Sequence, residues 1–335
     1  MSRSIPVAPL AVLLLALPGC GDEMTSRVAQ SGAQADSQQA SGIAANSAAA
    51  GRDCPVKYGR PRSLGKVDDK RISESSGIAR SLLREDAFWT HNDGNTPRLY
   101  CIDKDGETLA IVKLDGDEFV DCEDIAAFTR GGKNYLLYAD TGDNEFKRSE
   151  YRLHLFEEPQ PTDNVKSKGK GKGKGKGKGK AKPQDVPVAM TIPFRYPDGP
   201  QDCEAVAVDP TSGKIYLATK EQSRASRVYE LDLPATEPAN PLEARLVARL
   251  DMRTVAAMDI SPDGRRAVVL TDTAGFEFTR GAGEGWPAAF GREPCLVPTP
   301  PRKNGEAICY GADGQSLYLT SEGDREPLWE IPALP

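Results

Sequence analysis

Val120 to Phe128 reads VDCEDIAAF, and Gln201 to Asp209 reads QDCEAVAVD. Both place Asp-Cys-Glu before a short apolar run. After each comes a turn, RGGK from Arg130 and PTSGK from Pro210, and then a second run, YLLYADTGDN from Tyr135 and IYLATKE from Ile215. Looser echoes appear in ESSGIARSL from Glu74 and NGEAICYGA from Asn304, and MDISPDG from Met258 carries the same turn chemistry. The units therefore begin near Ser76, Glu123, Glu204, Met258 and Glu306, about fifty residues apart once a lysine-rich insert is discounted.

Each unit continues in the same order. The second run is apolar in the middle and polar at its end, as in a strand buried on both faces with an exposed tip. A third run alternates: RLYCID from Arg98, YRLHLFE from Tyr151, RVYELD from Arg227 and PLWEIP from Pro327. Fourth strands are readable in four units, but none remains for the fifth. The N-terminal RPRSLGKVDD, Arg60 to Asp69, supplies the missing outer strand and closes a ring. Radially repeated four-stranded units predict an all-β fold, a β-propeller of five blades, or six if residues 53–75 or 280–302 hold another. The SPDG turn at Ser261 to Gly264 resembles the turns of TolB-like and WD-repeat propellers.

The chain has 335 residues. Its start, MSRSIPVAPLAVLLLALPGC, resembles a lipoprotein signal, with residues 1–19 removed and Cys20 lipidated; an ordinary secretory signal is the alternative, and both export the protein. Residues 20–52 have a tether's composition, and residues 53–335 form the propeller. Within 160–185 a low-complexity segment alternates lysine with small residues, nine lysines from Lys166 to Lys182. The net charge is -6, but without those lysines 34 basic residues face 49 acidic ones, so the folded part is distinctly acidic. The insert falls in the second blade, either as a mobile loop or as an attachment to an anionic surface. No aromatic residue interleaves with the lysines, which argues against specific nucleic-acid recognition.

Six cysteines remain beyond Cys20 and permit disulfides of unspecified pairing, Cys122 with Cys203 among them. Two histidines, His91 and His154, exclude multi-histidine metal sites.

Propeller connectivity puts each unit's opening and its second-strand tip on one face. Asp121, Glu123, Asp202, Glu204 and Glu306 gather there from the openings, and His91, Asp93, Asp140, Asp143, Lys220, Glu221, Asp272 and Glu322 from the tips. Carboxylates about 4 Å apart repel by about 4 kcal/mol at an effective dielectric near 20, so a compensating charge is required. Arg98, Arg152 and Arg227, at the starts of third strands, offer part of it. A hard divalent cation suits the rest, because the donors are oxygens. ADTGDNE, Ala139 to Glu145, offers a second candidate ion loop through Asp140 and Asp143. His91 beside Asp93 offers a general base, against the simpler role of a hydrogen-bonded histidine.

The ring Ser76, Glu123, Glu204, Met258, Glu306 resembles the Ser and Glu ring that holds an axial calcium in five-bladed calcium-activated apyrases. The openings and tips also resemble those of phytase-like propellers. The resemblance implies calcium on Ser76, Glu123, Glu204 and Glu306, with Met258 a departure that water or Asp259 must make good. The expected function is a lipid-anchored envelope propeller holding a divalent cation and binding a small, phosphate-bearing or polymeric ligand through Arg98, Arg152, Arg227, Lys220, Glu221, Asp272 and Glu322. A calcium-dependent phosphohydrolase and a structural scaffold are the alternatives.

Overall fold

The computed structural model describes residues 54–116, 119–161, 183–302 and 304–335. All lie within the compact unit Ala49–Pro335. The signal, Cys20, the tether and most of the lysine segment lie outside the described residues.

Strand β1 (Arg62–Lys66) is first in the chain and last in the ring. Blade one is β2 (Ser75–Arg80), β3 (Ala87–Asn92), β4 (Arg98–Asp103) and β5 (Thr108–Asp115). Blade two is β6 (Cys122–Arg130), β7 (Lys133–Asp140), β8 (Tyr151–Glu157) and, beyond β9 (Gln184–Pro187), β10 (Met190–Arg195). Blade three is β11 (Cys203–Val208), β12 (Lys214–Thr219), β13 (Ser226–Asp232) and, beyond β14 (Leu242–Glu243), β15 (Arg245–Leu250). Blade four is β16 (Val255–Ile260), β17 (Arg266–Thr271), β18 (Gly275–Thr279) and, after the short helix α1 (Trp286–Phe290), β19 (Cys295–Val297). Blade five is β20 (Ala307–Tyr310), β21 (Leu317–Thr320) and β22 (Pro327–Ile331), with β1 antiparallel to β22 as its outer strand.

The inner strands neighbour one another in the circuit β2, β6, β11, β16, β20 and back to β2, which closes a five-bladed propeller. The sequence of 280–302, read as possible room for a sixth blade, is taken up by α1 and β19. Two additions had no signal in the repeat: β9 and β14 pair parallel to the outer strands of blades one and two.

Hydrophobic burial follows the blade interfaces. Five clusters fill the five junctions: Trp89 with Tyr138 between blades one and two, for example, and Tyr216 with Met258 between three and four. Burying such side chains stabilises by about 1.5–3 kcal/mol each, so the ring is held chiefly by blade-to-blade packing.

An innermost strand leaves backbone N–H groups facing the channel, where an unpaired donor is costly. Two carboxylates, one buried and one half-buried, meet this need across blades. Asp124 accepts from Val206 N at 2.8 Å, and Asp259 accepts from Tyr310 N at 2.8 Å, while each also accepts from the next amide of its own strand, Ile125 N and Ile260 N. Asp259 is thus committed to joining blades four and five.

Cys54 and Cys295 form a disulfide with Cα atoms 6.0 Å apart, tying the segment before β1 to the outer strand of blade four. Tyr58 follows, bridging to Ala333 and donating its hydroxyl to Glu277 at 2.5 Å. Cys101, Cys122, Cys203 and Cys309 are buried free thiols, so the pairing of Cys122 with Cys203 is not formed.

Candidate metal centre at the acidic mouth

Register explains how the ring residues come to share one end of the channel. In β6 the pairing jumps between Cys122 and Asp124, in β11 between Cys203 and Ala205, in β16 between Val255 and Ala257, and in β2 between Ser75 and Ile78. The residue left over at each bulge is Glu123, Glu204, Ala256 and the pair Ser76–Gly77. A bulge bends its strand and re-aims the extra side chain. Blade five reaches the same place without one, because Glu306 immediately precedes β20.

This register corrects the fourth ring position. Ala256, not Met258, is the counterpart of Glu123 and Glu204. Met258 is buried in the junction of blades three and four, level with Ile125 and Val206. The shift arose because blade four lacks the Glu that marks the bulge elsewhere, so its apolar run alone gave no register.

Among the described residues, two groups of carboxylates can each bring oxygens within 4.8 Å of one another: Asp93 with Asp121 and Glu123, and Glu123 with Asp202 and Glu204. Glu123 belongs to both. It is 3 % exposed, and Ser76 Oγ donates to its backbone carbonyl at 2.6 Å. Gly142 packs against it so closely that a Cβ there would overlap Glu123 Oε1 and the Asp121 carboxylate.

Burial, then Glu204, Asp93 and Asp121, pushes the Glu123 carboxyl well above its ordinary range. Burial and the charge of Asp202 and Glu306 raise Glu204 to about 8, with Lys220 opposing them. Asp121 rises to about 6 through burial, Asp93 and Asp202. Asp93, Asp202 and Glu306 are raised too, each first by burial. The carboxylates are therefore under-compensated by the protein's own cations.

A pH dependence follows. A carboxyl whose folded pKa exceeds its unfolded one binds an extra proton in the folded state, so its stabilising contribution is full below about pH 4 and lost as pH rises through the folded value. For metal-stripped protein we expect Tm to fall between about pH 5 and pH 8, the window set by Asp121 and Glu204. A thermal melt series across that range, in which Tm stays flat or rises, would remove this electrostatic picture.

The remaining predicted site residues divide sharply. Lys220 Nζ lies 3.2 Å from Glu204 Oε2 and 3.9 Å from Glu306 Oε2. Glu221 is paired with Arg224 at 2.7 Å and Arg227 at 2.9 Å, and Arg227 also with Asp198 at 2.7 Å. Arg152 pairs with Glu150 at 3.5 Å, and Arg98 is half-buried at the start of β4. Glu322 accepts from Asn304 Nδ2 at 3.0 Å, and Asp272 is exposed.

Asp140 and Asp143 organise the loop that follows β7. Asp140 accepts from the amides of Val120 and Asp121 and pairs with Arg148 at 2.8 Å. Asp143 accepts from the amides of Lys147 and Arg148 and from Tyr151 Oη. Neither belongs to the two carboxylate groups. His91 is fully buried, its Nδ1–H donates to Asn92 O at 2.9 Å, and burial lowers it to about 4. It packs edge-on against Tyr138 as a neutral imidazole, removed from solvent.

Two cations at this end escaped the sequence reading. Arg148 holds Asp140 and the carbonyl of Gly142. Arg302, half-buried, donates to Thr271 O at 2.6 Å and feels the charges of Asp272 and Glu306. Arg148 was findable as the first arginine after an acidic loop; Arg302 lies outside every repeated phrase.

No family model and no curated protein matches the chain. Similar solved structures include a gluconolactonase from Xanthomonas campestris, at 13% identity and a TM-score of 0.44, covering 85% of this chain and 98% of that one. A glucose dehydrogenase matches at 11% identity and a TM-score of 0.44, over 82% of this chain and 100% of that one. Likeness this distant assigns neither substrate nor activity to the chain.

Proposed function

We propose that the protein is an exported, lipid-anchored propeller whose mouth holds a divalent cation, calcium by preference, and presents it to a small or polymeric ligand. The observation that carries the reading is the sharing of buried Glu123 by two carboxylate groups that the protein's own cations leave under-compensated. The fit is chemical: carboxylate oxygens without thiolate or imidazole suit a hard ion. Another charged cleft shows no such deficit. The 680 Å³ cleft between blades three and four at the far end of the inner strands is lined by Asp209, Arg280, Lys214, Glu230 and Arg245, all already paired.

When bound, the ion supplies a positive centre that attracts oxygen ligands. Glu123, Asp93, Asp121, Asp202 and Glu204 are the side chains to hold it, with Gly142 leaving the space. A phosphohydrolase reading needs a general base; His91 is sealed in the blade junction and Asp93 belongs to a group that would hold the ion, so the binding reading is favoured. The apolar segment before Cys20 and the Cys54–Cys295 disulfide support export, since disulfides persist in oxidising compartments. The lysine segment adds an attachment to anionic surfaces, which its deletion would weaken in a vesicle-binding assay.

The test is calorimetric titration of the purified chain with calcium, magnesium, manganese and zinc, beside turnover assays on nucleotides and phosphomonoesters. Saturable calcium binding without turnover is expected. Absence of binding by all four ions would sink the proposal, and chelator-sensitive turnover would convert it to the enzyme reading.

A further inference from the structure

Resting on that cation-binding reading, we propose that the Lys220 ammonium stands in for a second divalent cation, so the mouth takes one ion on the Asp93–Asp121–Glu123 side and lysine on the Glu204–Glu306 side. Two carboxylate groups sharing one glutamate form a layout that can seat two ions bridged by Glu123. Lysine already occupies one of them. Its Nζ is 3.2 Å from Glu204 Oε2, an oxygen the second ion would need at about 2.3–2.6 Å. An ammonium that close repels a dication seated on the same carboxylate, so the two compete for one place.

The second side carries an independent mark of unmet demand. Glu306 is 8 % exposed, and its Oε2 accepts no hydrogen bond; the ammonium stands off at 3.9 Å. Lys220 does not reach this place by chance of a long side chain. Its backbone N–H donates to Asp202 O at 2.9 Å, tying the tip of β12 to the opening of β11 and setting the head group over the ring. Lys220 reaches Asp93 and Glu123 only through its field, no cation among the described residues pairs with Asp93, Asp121 or Glu123, and Arg148 is used on Asp140 and Gly142 O. Removing the lysine head would leave Glu123, Asp202, Glu204 and Glu306 as an all-oxygen seat.

Stoichiometry tests this. Calcium titration by calorimetry should give one ion per wild-type chain, two for Lys220→Met and one for Lys220→Arg. Manganese-loaded Lys220→Met should show the broadened paramagnetic resonance spectrum of a coupled ion pair, absent from wild type. One ion in both wild type and Lys220→Met would overturn the inference and leave the cation site standing. Two ions in wild type would also overturn it, because the lysine would then exclude nothing. No ion in either protein would overturn both readings. Lys220→Gln, which keeps a polar head, provides the same count if the methionine variant folds poorly.

Discussion

Glu123→Gln is expected to abolish the stabilisation that calcium confers while raising the stability of the metal-free protein. A ligand at a hundred times its Kd stabilises the folded state by about 2.7 kcal/mol, which in a domain of this size is roughly 5–10 °C in Tm. Glutamine keeps the shape of Glu123 but removes the one carboxylate common to both groups, so that shift should fall to near zero. Without metal, the same change relieves the cost of a carboxyl that burial, Glu204, Asp93 and Asp121 all disfavour in its charged form. The variant should then melt above stripped wild type and below calcium-saturated wild type. Thermal melts of the two proteins, with calcium and with chelator, give all four values. Retention of the full calcium shift by Glu123→Gln would remove Glu123 from the site, and general misfolding would lower both of its values rather than cross them.

Loss of the Cys54–Cys295 disulfide is expected to lower Tm by about 10 °C or more. The bridge joins residues 241 apart in sequence, and the chain-entropy argument gives such a closure about 5 kcal/mol, an upper value since strain and residual structure reduce it. Its location adds a specific consequence. It anchors the segment just before β1, the strand that completes blade five, so reduction should loosen the ring where its two ends meet. Hydrogen exchange should rise first in Arg62–Lys66 and Pro327–Ile331 in the Cys54→Ser/Cys295→Ser double variant. A double variant that melts with wild type and protects those strands equally would show that the β1–β22 pairing closes the ring unaided.

The sequence carried the fold in its repetition. DCEDIAAF and DCEAVAVD returned because equivalent positions in a ring meet equivalent surroundings, and the missing fourth strand of the last unit pointed to RPRSLGKVDD at the other end of the chain. It also marked Glu123, Glu204 and Glu306, since a charged residue opening an apolar strand needs a shared reason. What escaped the sequence was set by register and pairing, which depend on partners remote in the chain. A bulge moves a ring position by a residue, so blade four's place belongs to Ala256 and Met258 goes to the core. Blade-joining hydrogen bonds took Asp259, and loop amides took Asp140 and Asp143. The repeat and the residue types at its openings determined that the mouth would be acidic and its donors oxygen; only the tertiary structure decided which carboxylates were already satisfied, because that depends on which amides and cations the folded chain brings within hydrogen-bond reach.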